Sequence, residues 1–211
     1  MSELIVLLGR PVRHSLSPAM QEAAFRAAGL DARYLALQVA DFDAAWEAVR
    51  RLRVRGGNVT VPWKREALRA VSEPSERARR VGSVNTFWRT AEGGFAGTET
   101  DGPGFLRALE EAWGGPAAGL RFVLAGAGGA GRAVAHALHE AGAARLLLWN
   151  RTPDRARQLA GELQTGPGAP RVEVLERPAA AASDVFPEAD VLVDATSTGL
   201  DPGAPPAVDP A

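Results

Sequence analysis

Lys64 is the only lysine in a chain with 24 lysine and arginine residues, and it closes the run Asn58-Val59-Thr60-Val61-Pro62-Trp63-Lys64. An ammonium group can lose its proton and act as a base, whereas a guanidinium stays charged in proteins. A lysine held in so arginine-rich a chain is a candidate for proton transfer. The competing reading is a solvated residue that opens a helix after Pro62. Ser15 and Ser17, in His14-Ser15-Leu16-Ser17-Pro18, form a second group. Ser17 before Pro18 reads as an N-cap with proline at the first helical position. Two hydroxyls ahead of a helix N-terminus also make a cradle for a carboxylate, because the helix end carries partial positive charge.

A third group lies in the second half. Gly126, Gly128 and Gly131 in Arg121–Ala133 fit the pattern GxGxxG, with an apolar strand before them and a helix after. Such glycines let the backbone turn tightly and approach a pyrophosphate at the helix N-terminus, so a dinucleotide site is expected. The next strand ends in Trp149-Asn150-Arg151-Thr152. A carboxylate there would bind the ribose hydroxyls of NAD. Instead Asn150, Arg151 and Thr152, with Arg155 one turn on, offer donors and positive charge that suit a 2′-phosphate, so NADP is expected over NAD. Thr152 before Pro153 also has the chemistry of a helix cap.

These residues need a scaffold, and the apolar patterning supplies one. Strand-like runs at 4–9, 34–39, 57–61, 121–126, 145–150, 172–175 and 191–195 alternate with helical patterns at 18–29, 43–53, 63–70, 75–80, 101–113, 130–141 and 153–163. Runs at 83–89 and 94–99 flank Glu92-Gly93-Gly94 and read as a hairpin. The expected fold class is α/β: a domain over 1–101, a connecting helix and linker over 102–118, and a Rossmann-type parallel-sheet domain over 119–211. The last residues, Asp201–Ala211, are rich in proline where a dinucleotide domain ordinarily continues, so a C-terminally short chain is expected.

Composition removes several functions. Net charge is −1, which gives no field for nucleic acid, and Arg77, Arg79 and Arg80 read as a solvated helix face. The absence of cysteine removes disulfides and thiolate chemistry and fits a reducing compartment. No apolar run reaches the roughly 20 residues of a membrane span, so a cytoplasmic location is expected. His136 and His139 lie three apart without a third ligand cluster, so no metal site is expected.

Together, Ser15-Leu16-Ser17-Pro18, Asn58 to Lys64, Gly82-Ser83-Val84-Asn85-Thr86, Thr100-Asp101-Gly102, Gly126 to Gly131, Asn150-Arg151-Thr152 and Ala195 to Gly199 resemble the shikimate dehydrogenase family in order and spacing. The resemblance implies an N-terminal substrate domain and a Rossmann domain for NADP. It implies that Ser15 and Ser17 hold the substrate carboxylate and that Asn58, Thr60, Asn85 and Asp101 surround the ring hydroxyls. Lys64, paired with Asp101, is the implied catalytic residue. It further implies that Gly126, Ala127, Gly128, Gly129 and Ala130 hold the pyrophosphate, that Asn150, Arg151, Thr152 and Arg155 hold the 2′-phosphate, and that Thr196, Ser197 and Thr198 line the nicotinamide side. The implied partners are the small molecules shikimate and 3-dehydroshikimate, in a monomer or homodimer. Glu99 departs from the family pattern, which has Asn two residues before the Asp of this motif. Two other readings stand beside this one: a quinate/shikimate dehydrogenase, and a non-catalytic NADP- or metabolite-binding protein.

Overall fold

The computed structural model describes residues 2–164, 171–176, 188–196 and 198. The chain divides into two compact units, Met1–Thr100 and Asp101–Ala211.

The first unit contains β1 (Glu3–Gly9), α1 (Ser17–Ala27), β2 (Ala32–Gln38), α2 (Phe42–Arg51), β3 (Gly56–Val59), α3 (Lys64–Ala70), β4 (Glu73–Pro74), α4 (Glu76–Val81), β5 (Thr86–Arg89) and β6 (Phe95–Thr98). Its sheet runs β2-β1-β3-β5-β6-β4. β1 pairs in parallel with β2 and β3, and β5 pairs antiparallel with β3 and β6. The interior strand β1 is apolar nearly throughout because both its faces are covered. On one face lie Val6, Leu8 and Val59 with the aromatic group Phe42, Trp46, Phe87 and Phe95. Trp46 sits 4.9 Å from Phe87 and 5.0 Å from Phe95, centroid to centroid. Truncating so central a side chain to alanine costs about 3–5 kcal/mol. The other face holds Leu7, Val12 and Tyr34, with Ile5, Phe25 and Ala36 packed against them.

The second unit contains α5 (Asp101–Trp113), β7 (Arg121–Ala125), α6 (Gly129–Glu140), β8 (Arg145–Trp149), α7 (Pro153–Leu163), β9 (Arg171–Val174) and β10 (Val191–Asp194). Its described strands are all parallel, in the order β10-β7-β8-β9. Phe122, Leu124, Leu146 and Leu148 pack under Leu138, Leu159 and Leu163 from the helices. The strand order reverses at β7, where ligands of such sheets bind beyond the strand ends. The expected α/β class with a Rossmann-type parallel sheet is what the chain forms.

Three local expectations change. Ser17 is not the cap of α1: Leu16 occupies that position with helical backbone, and it is the Ser15 hydroxyl that accepts a hydrogen bond, from the Ser17 N–H at 3.2 Å. Either serine has the chemistry of a cap; the extra helical residue at Leu16 moves the role upstream. β3 stops at Val59 rather than Val61, because Pro62 has no N–H to offer a ladder and the chain turns there into α3. β4 is an added edge strand of only two residues, one of them a proline, too short to show any period.

Candidate functional site

The end of β3 sets the first group of residues. Thr60 N–H donates to the Leu8 carbonyl, and Arg10 N–H donates to that of Val61, so the segment after β3 lies beside the end of β1. A Cβ on Gly9 would meet the Thr60 methyl at 2.2 Å, so the threonine side chain packs directly over the glycine backbone. Lys64 then opens α3, half-buried, and its carbonyl accepts from Val84 N–H at 2.9 Å. The following turn carries Asn85.

Asn58 and Asn85 belong to one polar cluster. The Tyr34 hydroxyl donates to Asn58 Oδ1 at 2.7 Å. Asn58 Nδ2 donates to the Asn85 carbonyl at 3.3 Å and to Thr86 Oγ1 at 3.1 Å. Asn85 Oδ1 accepts from Thr86 Oγ1 at 3.2 Å, from Thr100 N–H at 2.9 Å and from Thr100 Oγ1 at 3.1 Å. Burial of the phenol, with no charge to offset it, pushes the Tyr34 pKa up to about 12. The motifs mark the two asparagines as site residues but do not single out Tyr34, Thr86 or Thr100. A signal for Tyr34 was present: it is the only tyrosine, on a buried strand, and a buried phenol needs a partner.

Ser15 and Ser17 remain together at the start of α1, joined by their hydroxyl-to-amide bond. Asp101 opens α5, where a carboxylate suits the positive end of the helix. Its neighbour Gly102 lets α5 pack closely on α6, since a Cβ there would lie 2.5 Å from the Ala133 carbonyl oxygen.

The glycine loop joins β7 to α6. Gly126 has φ +106°, and its Cβ would lie 2.8 Å from the Ala195 backbone, so it must be glycine on both counts. Gly128 stands in the cap position of α6 with extended backbone and no side chain to satisfy the helix N-terminus. The first amides of a helix lack intrahelical partners, and together they favour an anion. The glycines thus leave room and donors for a pyrophosphate.

Asn150 ties this loop to the end of β8. Its Oδ1 accepts from Ala127 N–H at 2.9 Å, and its Nδ2 donates to the Thr152 carbonyl at 2.8 Å. Thr152 occupies the cap position of α7, yet its side chain makes no capping bond. Arg151 and Arg155 are exposed, and neither pairs with a carboxylate among the described residues. Nearby Arg157, by contrast, pairs with Asp154 and Glu176. Two such cations beside the loop fit a phosphate group. Beyond β10, Thr196 N–H donates to Asp194 Oδ1 and Thr198 N–H to Thr196 Oγ1. Ser197 lies outside the described residues.

His136 and His139 lie on α6, and His136 Nε2 is 3.9 Å from Glu162 Oε2. Among the described residues no group of three or more histidine, aspartate or glutamate side chains could hold a metal ion. No described helix is long and apolar enough to cross a membrane.

The chain matches known proteins along most of its length. Residues 7–87 match the family described as shikimate dehydrogenase substrate binding domain, and residues 110–200 match shikimate / quinate 5-dehydrogenase. The NADP(+) shikimate dehydrogenase of Moorella thermoacetica is 46% identical over 201 residues, which cover 94% of this chain and 67% of that protein. The crystal structure of the Aquifex aeolicus shikimate dehydrogenase superposes with a TM-score of 0.87 at 36% identity, covering 99% of this chain and 74% of that one. The Thermus thermophilus shikimate 5-dehydrogenase, solved with NADP(H) and shikimate, gives a TM-score of 0.79 at 44% identity, covering 97% and 72%.

Proposed function

The chain belongs to the shikimate dehydrogenase family, and from that premise we propose that it carries out the reversible, NADP-dependent reduction of 3-dehydroshikimate to shikimate, with Lys64 and Asp101 as its acid/base pair. The reaction is an oxidoreduction at a CH–OH group, and its place is the biosynthesis of aromatic amino acids in the cytoplasm. The observation that carries the residue assignment is the lone Lys64 at the head of α3, in the segment that also presents Asn58 and Thr60.

NADPH supplies a hydride to the ketone carbon when bound. The ketone oxygen then gains negative charge, and the Lys64 ammonium stabilises it and hands over the proton. In the oxidation direction the neutral amine removes the proton from the hydroxyl. Asp101 is the second member of the proposed pair and shares in the proton traffic. Ser15 and Ser17 hold the substrate carboxylate at the start of α1, and Asn58, Thr60 and Asn85 bind the ring hydroxyls. Gly126 to Ala130 hold the pyrophosphate, Asn150, Arg151, Thr152 and Arg155 the 2′-phosphate, and Thr196, Ser197 and Thr198 the nicotinamide side. The tight backbone at Gly126 and Gly131 supports this assignment. So do the exposed Arg151 and Arg155, which have no carboxylate partner among the described residues.

The test is an assay with shikimate and NADP that follows reduced nicotinamide, with quinate and NAD for comparison and Lys64→Ala as control. Turnover that prefers shikimate with NADP and vanishes in Lys64→Ala is expected. Preference for quinate would change the substrate. Absence of turnover with NADP still bound would leave a binding protein.

A further inference from the structure

The direction of each hydrogen bond around Asn58 limits what this residue can offer a ligand. A backbone carbonyl only accepts, so the end of the Asn58 amide that faces the Asn85 carbonyl must be Nδ2. The second Nδ2 hydrogen goes to Thr86 Oγ1. Both donors are thereby used inside the protein. Oδ1 points the other way and receives the Tyr34 hydroxyl at 2.7 Å, the shortest of the three contacts. That leaves one lone pair on Oδ1, and no donor, for a ligand.

Tyr34 is held rigidly enough to act as the third anchor. Its residue is 2% exposed, with the ring in the apolar layer of Leu7, Val12, Ile5, Phe25 and Ala36. The hydroxyl alone reaches the polar cluster. Its pKa, pushed up by burial to about 12, keeps it a donor at any pH at which such an enzyme works.

We propose that Tyr34 is a positioning residue that fixes the Asn58 amide as a hydrogen-bond acceptor, so that the site selects a ring hydroxyl able to donate to Asn58 Oδ1. The proposal rests on the reading of Asn58 as a substrate-binding residue. Tyr34 touches no reacting atom and acts only through Asn58.

The test is Tyr34→Phe in the full chain, which keeps the ring in its layer and removes the hydroxyl. A melting curve checks the fold. The shikimate KM is expected to rise about tenfold, with kcat and the NADP KM within about threefold. In an Asn58→Ala background, Tyr34→Phe should change the shikimate KM less than about twofold, because its path of action is gone. An unchanged KM in the single variant, or a full tenfold effect in the Asn58→Ala background, would overturn the proposal. A readout without substrate is hydrogen exchange of the Asn58 side-chain amide by NMR, assigned by its loss in Asn58→Ala. Faster exchange in Tyr34→Phe supports the anchoring, and unchanged exchange sinks it. If the wild-type chain fails to turn over shikimate, the proposed function falls, and this amide measurement decides the anchoring on its own.

Discussion

Gly131 lies so close to Gly126 that a Cβ on it would stand 1.9 Å from the Gly126 carbonyl oxygen. The obstacle is backbone, which cannot step aside as a side chain could. This contact seats the first turn of α6 against the end of β7. Gly131→Ala should therefore displace the loop itself. NADP affinity is expected to fall by more than about tenfold, measured by titration calorimetry, with a melting temperature several degrees lower. Retained affinity would mean that the loop does not hold the pyrophosphate.

Arg151 offers a subtler test of cofactor choice. Arg151→Ala should weaken NADP binding about tenfold, the scale of one charge-assisted contact, and leave NAD binding within about twofold. Equal losses for both cofactors would place Arg151 away from the 2′-phosphate.

Lys64→Arg keeps a positive charge but cannot give up a proton, because a guanidinium does not deprotonate in proteins. Turnover should disappear while shikimate affinity stays within about tenfold, equivalent to about 1.4 kcal/mol. Near-normal turnover would remove Lys64 from the chemistry.

Gly9→Ala probes the support of Thr60. The new methyl would stand 2.2 Å from the Thr60 methyl and 2.9 Å from a Val12 methyl. Thr60 must turn away or β1 must shift. The expected cost is about 1–3 kcal/mol of stability in a denaturant titration, with a higher shikimate KM and an unchanged NADP KM. Full stability and an unchanged KM would mean that the segment after β3 yields freely.

Glu162 provides a pH test. Arg132, 8% exposed, donates to it through both terminal guanidinium nitrogens, at 3.2 and 2.6 Å. Burial alone would raise the Glu162 pKa, but the hydrogen bonds and charge of Arg132, together with the Gln158 hydrogen bond and the charge of His136, outweigh it and hold the carboxyl below its ordinary range. The folded pKa is thus lower than the unfolded value of about 4.3, so the pair stabilises the fold above that pH and the contribution is lost as pH falls below it. Glu162→Gln should cost about 1–2 kcal/mol near neutral pH, a figure discounted for the partial exposure of Glu162. The gap to wild type should narrow on acidification towards pH 3. A gap that does not depend on pH would rule out the charge as its source.

The parts of this molecule that could be read in the sequence are those in which one residue type has one physical meaning. The glycine loop is such a case, because only glycine fits where a Cβ would strike Ala195 or Gly126. The apolar runs of β1, β7 and β8 are another, since a strand covered on both faces has no polar side. The capping of α1 was not legible, because Ser15 and Ser17 share the same chemistry and the backbone at Leu16 decides between them. The Tyr34 contact was not legible either. Its partner Asn58 is 24 residues away, and only the register of β1 with β2 and β3 brings them together. β4 has two residues and leaves no periodic trace.

The cluster of Tyr34, Asn58, Asn85, Thr86 and Thr100 consists of neutral amides and hydroxyls, and so do Ser15 and Ser17. The turn after β8 and the start of α7 instead present two exposed guanidinium groups, Arg151 and Arg155. Dissolved ions screen exposed charges over about 8 Å at physiological ionic strength and have far less effect on hydrogen bonds between neutral groups. The two groups of residues therefore answer differently to the salt around them. If Arg151 and Arg155 hold a phosphate as proposed, rising ionic strength weakens that contact well before it loosens the hydrogen bonds of the neutral cluster.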